Sequence, residues 1–240
     1  MIMQSVVRSI FPPQCVTCDA MTSEEHGLCA TCWKETRFLR GLVCDSCGCK
    51  LEGSDPTELA HCDDCLRVPR PWDHGRASFE YSGRGRKMVL GLKHGDRTDL
   101  VPAMGRWLEQ AAKPVLTPQT LIVPIPLHWR RMFKRRYNQA ALLAQALGSR
   151  TGHSVSPDAL RRVRSTKPLE GHSRDARFEA LSGSIEAHPK RGHLLASHDI
   201  LLIDDVMTTG ATFTAAALAC RKAGAHRVCV LALARVCKDT

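Results

Sequence analysis

The chain has 240 residues, of which 43% are hydrophobic and only 5% aromatic, so its core must be mainly aliphatic. Lys and Arg outnumber Asp and Glu, 34 to 24, and the net charge of +10 favours anionic ligands or nucleic acid as partners. No apolar run approaches the length of a membrane span, and the N-terminus lacks the features of a signal peptide. We therefore expect no membrane insertion, a cytoplasmic location and a short packed helix over residues 1–11.

The first third of the chain is rich in cysteine. Eight of the twelve cysteines form four C-x-x-C pairs: Cys15/Cys18, Cys29/Cys32, Cys44/Cys47 and Cys62/Cys65. One such pair places two thiolates on a metal, and two pairs complete a tetrahedral zinc site. The spacing therefore predicts two structural zinc ions, with sequential or interleaved pairing both open. Disulfides are a weaker interpretation, because nothing indicates export.

A boundary is expected just after the last cysteine pair, where Pro69 and Pro71 stop any continuing element. Residues 1–70 are predicted to form a small zinc-binding domain in which metal substitutes for a core. Residues 71–240 change in character, because apolar strand-like runs alternate with helical patterns. Strands are expected over 77–81, 121–125, 200–203 and 227–234, and helices over 86–92, 100–112, 138–150 and 215–223. This alternation predicts an α/β fold with a mostly parallel sheet.

Two polar segments between these elements are candidates for function. A basic cluster follows the strand at 121–125 and comprises Arg130, Arg131, Lys134, Arg135 and Arg136. A strand-to-helix loop of this kind can hold an anion, although a solvated charge run is the alternative. The segment 161–191 is basic, turn-rich and longer than most connections, so we interpret it as a functional flap.

The stretch 200–212 carries the strongest functional signal. Its sequence, Ile-Leu-Leu-Ile-Asp-Asp-Val-Met-Thr-Thr-Gly-Ala-Thr, predicts a buried strand, two acids, a small hydroxyl-rich turn and a helix start. Such a turn directs backbone N–H groups and the positive helix end at one point, which favours a phosphate. Asp204 and Asp205 can accept hydrogen bonds from the 2′- and 3′-hydroxyls of a ribose. The alternative is that the acids merely cap the helix.

This stretch resembles the phosphoribosyl pyrophosphate (PRPP) loop of type I phosphoribosyltransferases. Nearly the whole chain is similar to the competence protein F (ComF) family, through the cysteine pairs, the Pro-Ile-Pro-Leu-His segment at 124–128, the Tyr-Asn-Gln at 137–139 and the loop at 200–212. The resemblance implies a double zinc ribbon followed by a parallel-sheet, type I phosphoribosyltransferase-like domain.

The resemblance also implies roles for individual residues. Asp204 and Asp205 would orient the ribose, and would be the catalytic pair in an enzyme. The PRPP-binding set would be Thr208, Thr209, Gly210, Ala211, Thr212, Leu127, His128, Arg130, Arg131 and Lys93. Mg²⁺ would bridge the diphosphate of PRPP.

Three functions follow from this resemblance and stay open at the level of sequence. The first is a PRPP-binding protein of natural competence that handles incoming single-stranded DNA together with other competence proteins. The second is an active phosphoribosyltransferase in nucleobase salvage, which would displace Mg-pyrophosphate from ribose C1. The third is a PRPP-sensing regulator without chemistry.

Overall fold

The fold is taken from a computed structural model, which describes residues 12–53, 55, 58–127, 137–164 and 183–237. The helix expected over residues 1–11 lies outside the described residues. Within this part of the chain, none of the helices is long and apolar enough to cross a membrane.

The described residues of the N-terminal cysteine-rich part include two short helices, α1 (Ala30–Glu35) and α2 (Asp63–Arg67). Each begins directly after a cysteine, Cys29 and Cys62 respectively, and contains the second cysteine of that pair. Turns and isolated bridges, such as Val43 with Lys50, make up most of the remaining described structure here. This part has little regular structure because the cysteine pairs, and not an apolar core, bring its turns together.

A four-stranded parallel sheet forms the centre of the described chain, in the order β1-β6-β5-β2. The strands are β1 (His74–Glu80), β2 (Thr120–Pro124), β5 (Asp199–Met207) and β6 (Arg227–Arg235). A small antiparallel pair lies apart from it, formed by β3 (Leu160–Arg162) and β4 (Ile185–Ala187). The predicted α/β class with a parallel sheet is therefore confirmed.

In the described part of the chain, four longer helices flank the sheet: α3 (Gly83–His94), α4 (Val101–Ala112), α5 (Gln139–Thr151) and α6 (Ala211–Lys222). Along β5, Leu201 and Ile203 pack in the cluster that holds the buried residues of α3, α4 and α5. Ile200 and Leu202 pack in the opposite cluster, with α6 and the second group of cysteines. The strand is apolar without alternation because both of its faces are covered.

The expected boundaries differ most from the structure at two places. Strand β5 continues past Ile203 to Met207, because β6 pairs with it as far as the Met207–Arg235 register. Helix α6 begins at Ala211 and not at residue 215, directly after Gly210 in the left-handed conformation (φ +83°). The hydroxyl-rich turn is therefore shorter than expected, and it ends at the helix start.

The cysteine-rich part packs directly on the sheet. Leu39 N donates to Ser78 O at 3.0 Å and Gly75 N donates to Asp45 O at 2.7 Å, so its backbone bonds to β1 at two places. Asp45 is buried and also accepts from Arg76 Nη2 at 2.9 Å and pairs with His74 Nδ1 at 2.8 Å. This junction is polar and hydrogen-bonded on one side and aromatic on the other, where Phe38 packs edge-on against Phe79.

Candidate functional site

The structure brings the eight paired cysteines together into two groups within the described residues. One group is Cys15, Cys18, Cys29 and Cys32, and the other is Cys44, Cys47, Cys62 and Cys65. In each group all four Sγ atoms lie within 4.8 Å of one another. The pairing is therefore sequential, and the interleaved arrangement that the spacing had left open is excluded.

The spacing of the sulfur atoms suits zinc. Cys18 Sγ lies 3.6 Å from Cys29 Sγ and 3.5 Å from Cys32 Sγ, and Cys47 Sγ lies 3.7 Å from Cys62 Sγ. Tetrahedral coordination with Zn–S bonds of about 2.3 Å places neighbouring sulfurs about 3.8 Å apart. Each group can close around one ion with little movement, so the chain carries two structural Cys₄ zinc sites. Cys49, Cys220, Cys229 and Cys237 take no part in either group.

Asp204 and Asp205 lie on the last part of β5, at the carboxyl end of the sheet. Pairing with β2 ends at Ile203, whereas pairing with β6 continues past both acids. Both carboxylates therefore lie just past the point where β2 stops pairing with β5. Open α/β sheets bind ligands in a cleft at such a position. Neither carboxylate caps α6, because the N-cap residue of that helix is Gly210 and no side chain caps it.

The two acids have different partners. Asp205 is 7% exposed, and its Oδ1 lies 3.1 Å from Lys93 Nζ at the end of α3. Part of the Asp204 residue is exposed, but its carboxyl group is surrounded by protein, and its Oδ1 accepts from the Asp205 backbone N–H at 2.9 Å. Burial and the adjacent Asp205 charge together raise the pKa of Asp204 to about 7, against the opposing effect of Lys93 and Arg162. Asp204 therefore gives up its proton less readily than an ordinary aspartate.

The turn after β5 leads directly into α6. Thr208 is exposed, Thr209 is partly exposed, and Thr209 Oγ1 accepts from Ala211 N at 3.4 Å. Gly210 is buried and its left-handed backbone is one that side chains rarely adopt. Thr212 is partly exposed in the first turn of α6, where backbone N–H groups have no partner within the helix. The predicted phosphate turn is thus next to the two carboxylates.

Of the remaining predicted site residues, some lie near the two acids and others lie outside the described residues. Lys93 reaches the acids, and partly buried Leu127 follows the end of β2, the neighbour of β5. His128, Arg130 and Arg131 lie outside the described residues. Just after that gap, Tyr137 Oη donates to Leu92 O at 2.9 Å, so the loop end is attached to α3 beside Lys93. Asn138 caps α5 through Ala140 N and bonds to Ile125 O.

Sequence reasoning missed three arginines around this site. The charge of Arg162 on β3 favours the ionised form of the Asp204 carboxyl and so lowers its pKa. Arg70 donates from Nη1 to Thr209 O at 2.9 Å, and Arg235 donates to Met207 O at 3.1 Å. Their positions in the sequence gave little signal, because each arginine lies far along the chain from the residues on which it acts.

The fold and these centres define a class of protein: a double zinc ribbon joined to a parallel-sheet α/β domain. Comparison with known proteins agrees, since residues 6–66 match the family described as double zinc ribbon domain. The chain is 29% identical over 232 residues to DNA utilization protein YhgH of Salmonella typhimurium, covering 93% of this chain and 97% of the relative. It is 26% identical to competence protein F of Haemophilus influenzae, covering 95% and 99%. The resemblance to the competence protein F family is thereby confirmed.

A more distant relative and two solved structures complete the comparison. Competence protein ComFC of Bacillus subtilis is 23% identical, over 85% of this chain and 86% of that protein. Glutamine PRPP amidotransferase from B. subtilis has a TM-score of 0.38 at 16% identity, covering 57% of this chain and 26% of that one. A hypoxanthine phosphoribosyltransferase from Staphylococcus aureus has a TM-score of 0.35 at 14% identity, covering 60% and 70%.

Proposed function

We propose that the protein binds PRPP or another ribose phosphate together with Mg²⁺, and that it acts in natural competence by handling incoming single-stranded DNA. The observation that carries the proposal is the arrangement of Asp204 and Asp205 beside the turn 208–212, at the end of β5. The carboxylates would accept hydrogen bonds from ribose hydroxyls, and the turn with the α6 N-terminus would receive the 5′-phosphate. The relatives named for competence and DNA utilization support the cellular role.

The donor set also suits Mg²⁺. Two adjacent carboxylates supply the hard oxygen ligands that this ion prefers. When bound, Mg²⁺ would neutralise charge on the diphosphate of PRPP. Lys93 already holds Asp205 from the α3 side, which keeps that carboxylate in one orientation.

We also propose that residues 1–70 and 71–240 are the two functional parts of the chain. The zinc ribbons would contribute, with the basic stretch 130–136, to a surface for a nucleic-acid backbone. The net charge of +10 supports this use.

The test measures two affinities on the same preparation. Labelled PRPP is titrated with and without Mg²⁺, and we expect saturable binding that strengthens with the ion. Binding of single-stranded DNA is titrated against salt, for the wild type and for Arg135→Ala/Arg136→Ala. We expect the log–log salt slope to fall by roughly 0.7 for each lost phosphate contact. Absence of PRPP binding would refute the ribose-phosphate site, and identical slopes would remove the stretch from the DNA surface.

A further inference from the structure

The backbone of the turn after β5 rests on side chains that are anchored in the second zinc ribbon. Arg70 lies five residues after Cys65, the last zinc ligand of that ribbon, and its guanidinium donates to two partners. Its Nε lies 3.5 Å from the Sγ of the zinc ligand Cys65, and its Nη1 lies 2.9 Å from Thr209 O. One guanidinium therefore connects a zinc thiolate to the candidate phosphate turn, a geometry that the planar fork of arginine allows.

Arg235, at the end of β6, makes a second connection of the same kind. It is 5% exposed, and its Nη1 donates to Met207 O at 3.1 Å and also to Thr208 O. On its other side Arg235 lies against Cys47, a ligand of the second zinc centre, and against Cys49. Two arginines thus lie between the same cysteine group and consecutive carbonyls of one turn. A zinc ion with four thiolates carries a net charge of −2, which two arginines match.

Trp72 packs beside Arg70 and Gly210. Its Nε1 donates to Ser46 O at 2.6 Å, within the Cys44/Cys47 pair, and its ring packs edge-on against Phe213 of α6. A Cβ on Gly210 would lie 3.1 Å from Trp72 and 3.3 Å from Arg70. The turn is therefore in close contact with the ribbon side, and little space remains there for its backbone to move.

These contacts determine the direction in which the backbone N–H groups of the turn point. The C=O and N–H of a trans peptide point in opposite directions. Because Arg70 holds Thr209 O and Arg235 holds Thr208 O, the N–H groups of Gly210 and Thr209 point away from the zinc ribbon. Backbone N–H groups directed to one side of a turn that precedes a helix are donors for a phosphate.

We propose that Arg70 is a positioning residue of the ribose-phosphate site, which ties the phosphate turn to the zinc centre of Cys44, Cys47, Cys62 and Cys65. The inference rests on the proposed function for its ligand, although its structural part can be tested without one. Through Arg70 the second zinc ribbon determines the direction of the turn amides. The zinc centre thus stabilises the binding site as well as the second zinc ribbon.

The test compares Arg70→Ala with Arg67→Ala. Arg67 is a matched control because it is the preceding arginine, its side chain is 71% exposed, and it pairs with Asp64 and not with the turn. Hydrogen exchange is followed by mass spectrometry in peptides covering 204–213, with zinc content measured on the same samples. We expect Arg70→Ala to exchange faster in those peptides while retaining two zinc ions, and Arg67→Ala to match the wild type. Unchanged exchange in Arg70→Ala would overturn the proposal.

PRPP affinity supplies the second readout. Loss of a charge-assisted hydrogen bond that orders the turn should weaken PRPP binding about tenfold in Arg70→Ala. Arg70→Lys keeps the charge but lacks the fork, so full recovery of affinity in that variant would contradict the two-sided role. If the wild type binds no PRPP, the proposed function fails, whereas the exchange experiment still decides whether Arg70 holds the turn.

Discussion

Lys93 Nζ lies 3.1 Å from Asp205 Oδ1, and this ion pair joins the end of α3 to the carboxyl end of β5. Both side chains are mostly buried, with 18% and 10% of their surfaces exposed. The adjacent Asp204 has a pKa raised to about 7, first by burial and then by the Asp205 charge. One lysine thus faces two neighbouring carboxyl groups, whose combined charge depends on pH near neutrality.

Replacing the lysine should reveal this dependence. Lys93→Met leaves the carboxyl groups without their cation, and we expect it to lower the free energy of unfolding by up to about 3 kcal/mol at pH 8. The loss should be smaller at pH 5, because Asp204 is then protonated in the folded state. Thermal melts at the two pH values measure the difference. Lys87→Met, an exposed position on the same helix, is the control and should change neither melt. An equal loss at both pH values would show that Asp204 does not titrate as described.

Asp204→Asn should stabilise the protein at high pH. The folded-state pKa of about 7 lies above the ordinary value for a carboxyl, so the folded protein binds the extra proton. The free energy of unfolding therefore falls as pH rises between about 4 and 7. The Asn side chain does not ionise, so the free energy of unfolding of this variant does not fall in that pH range. Its amide oxygen can still accept from Asp205 N. Its melting temperature should equal that of the wild type near pH 4 and exceed it above pH 7, by about 2–4 °C for each kcal/mol regained.

The matched comparison is Asp205→Asn, which removes the ion pair with Lys93 and should destabilise the protein above pH 7. If Asp204→Asn also melts lower than the wild type across the whole pH range, the residue has a structural role and the reasoning from its raised pKa is wrong.

The two zinc centres should differ in their effect on the whole protein. Cys44, Cys47 and Cys65 are buried in the same cluster as Leu202 and Val230 of the sheet, whereas Cys18 of the other centre is exposed. Zinc binding at such a site is worth about 10–16 kcal/mol and acts as folding energy. We expect Cys44→Ser to lower the stability of the α/β part as well as that of the ribbon. Cys18→Ser should act mainly within the N-terminal part.

Zinc content and near-ultraviolet circular dichroism of the two variants provide the measurement, with wild type expected to hold two zinc ions per chain. Retention of wild-type melting of the sheet in Cys44→Ser would show that the ribbon and the sheet fold independently. Finding disulfides among the eight paired cysteines would contradict the zinc centres themselves.

The sequence predicted the elements that have a strong local pattern. The apolar run 200–203 and the repeated C-x-x-C spacing were sufficient for the sheet class and for the zinc ligands. Boundaries were less predictable, because β5 extends to Met207 through its pairing with β6, and that pairing is not visible in β5 alone.

Within the candidate site, the acids and the turn were recognised from consecutive residues. The contacts of Arg70 and Arg235 with that turn were not, because they depend on how the ribbon packs against the sheet. Sequential pairing of the cysteine pairs was likewise decided by three-dimensional packing, since the spacing allowed two arrangements. Local chemistry was thus readable from the sequence, whereas contacts between distant segments required the fold.

We propose that Asp204 and Asp205 serve a ribose-phosphate ligand. Isothermal titration of PRPP with Mg²⁺ into the wild type and into Asp204→Asn/Asp205→Asn distinguishes this role from a purely structural one. Hydrogen bonds to charged acceptors are worth about 1.5–3 kcal/mol each, so the double variant should bind at least about tenfold more weakly. Circular dichroism should show that it remains folded. Unchanged affinity in a folded double variant would contradict the assignment of the site.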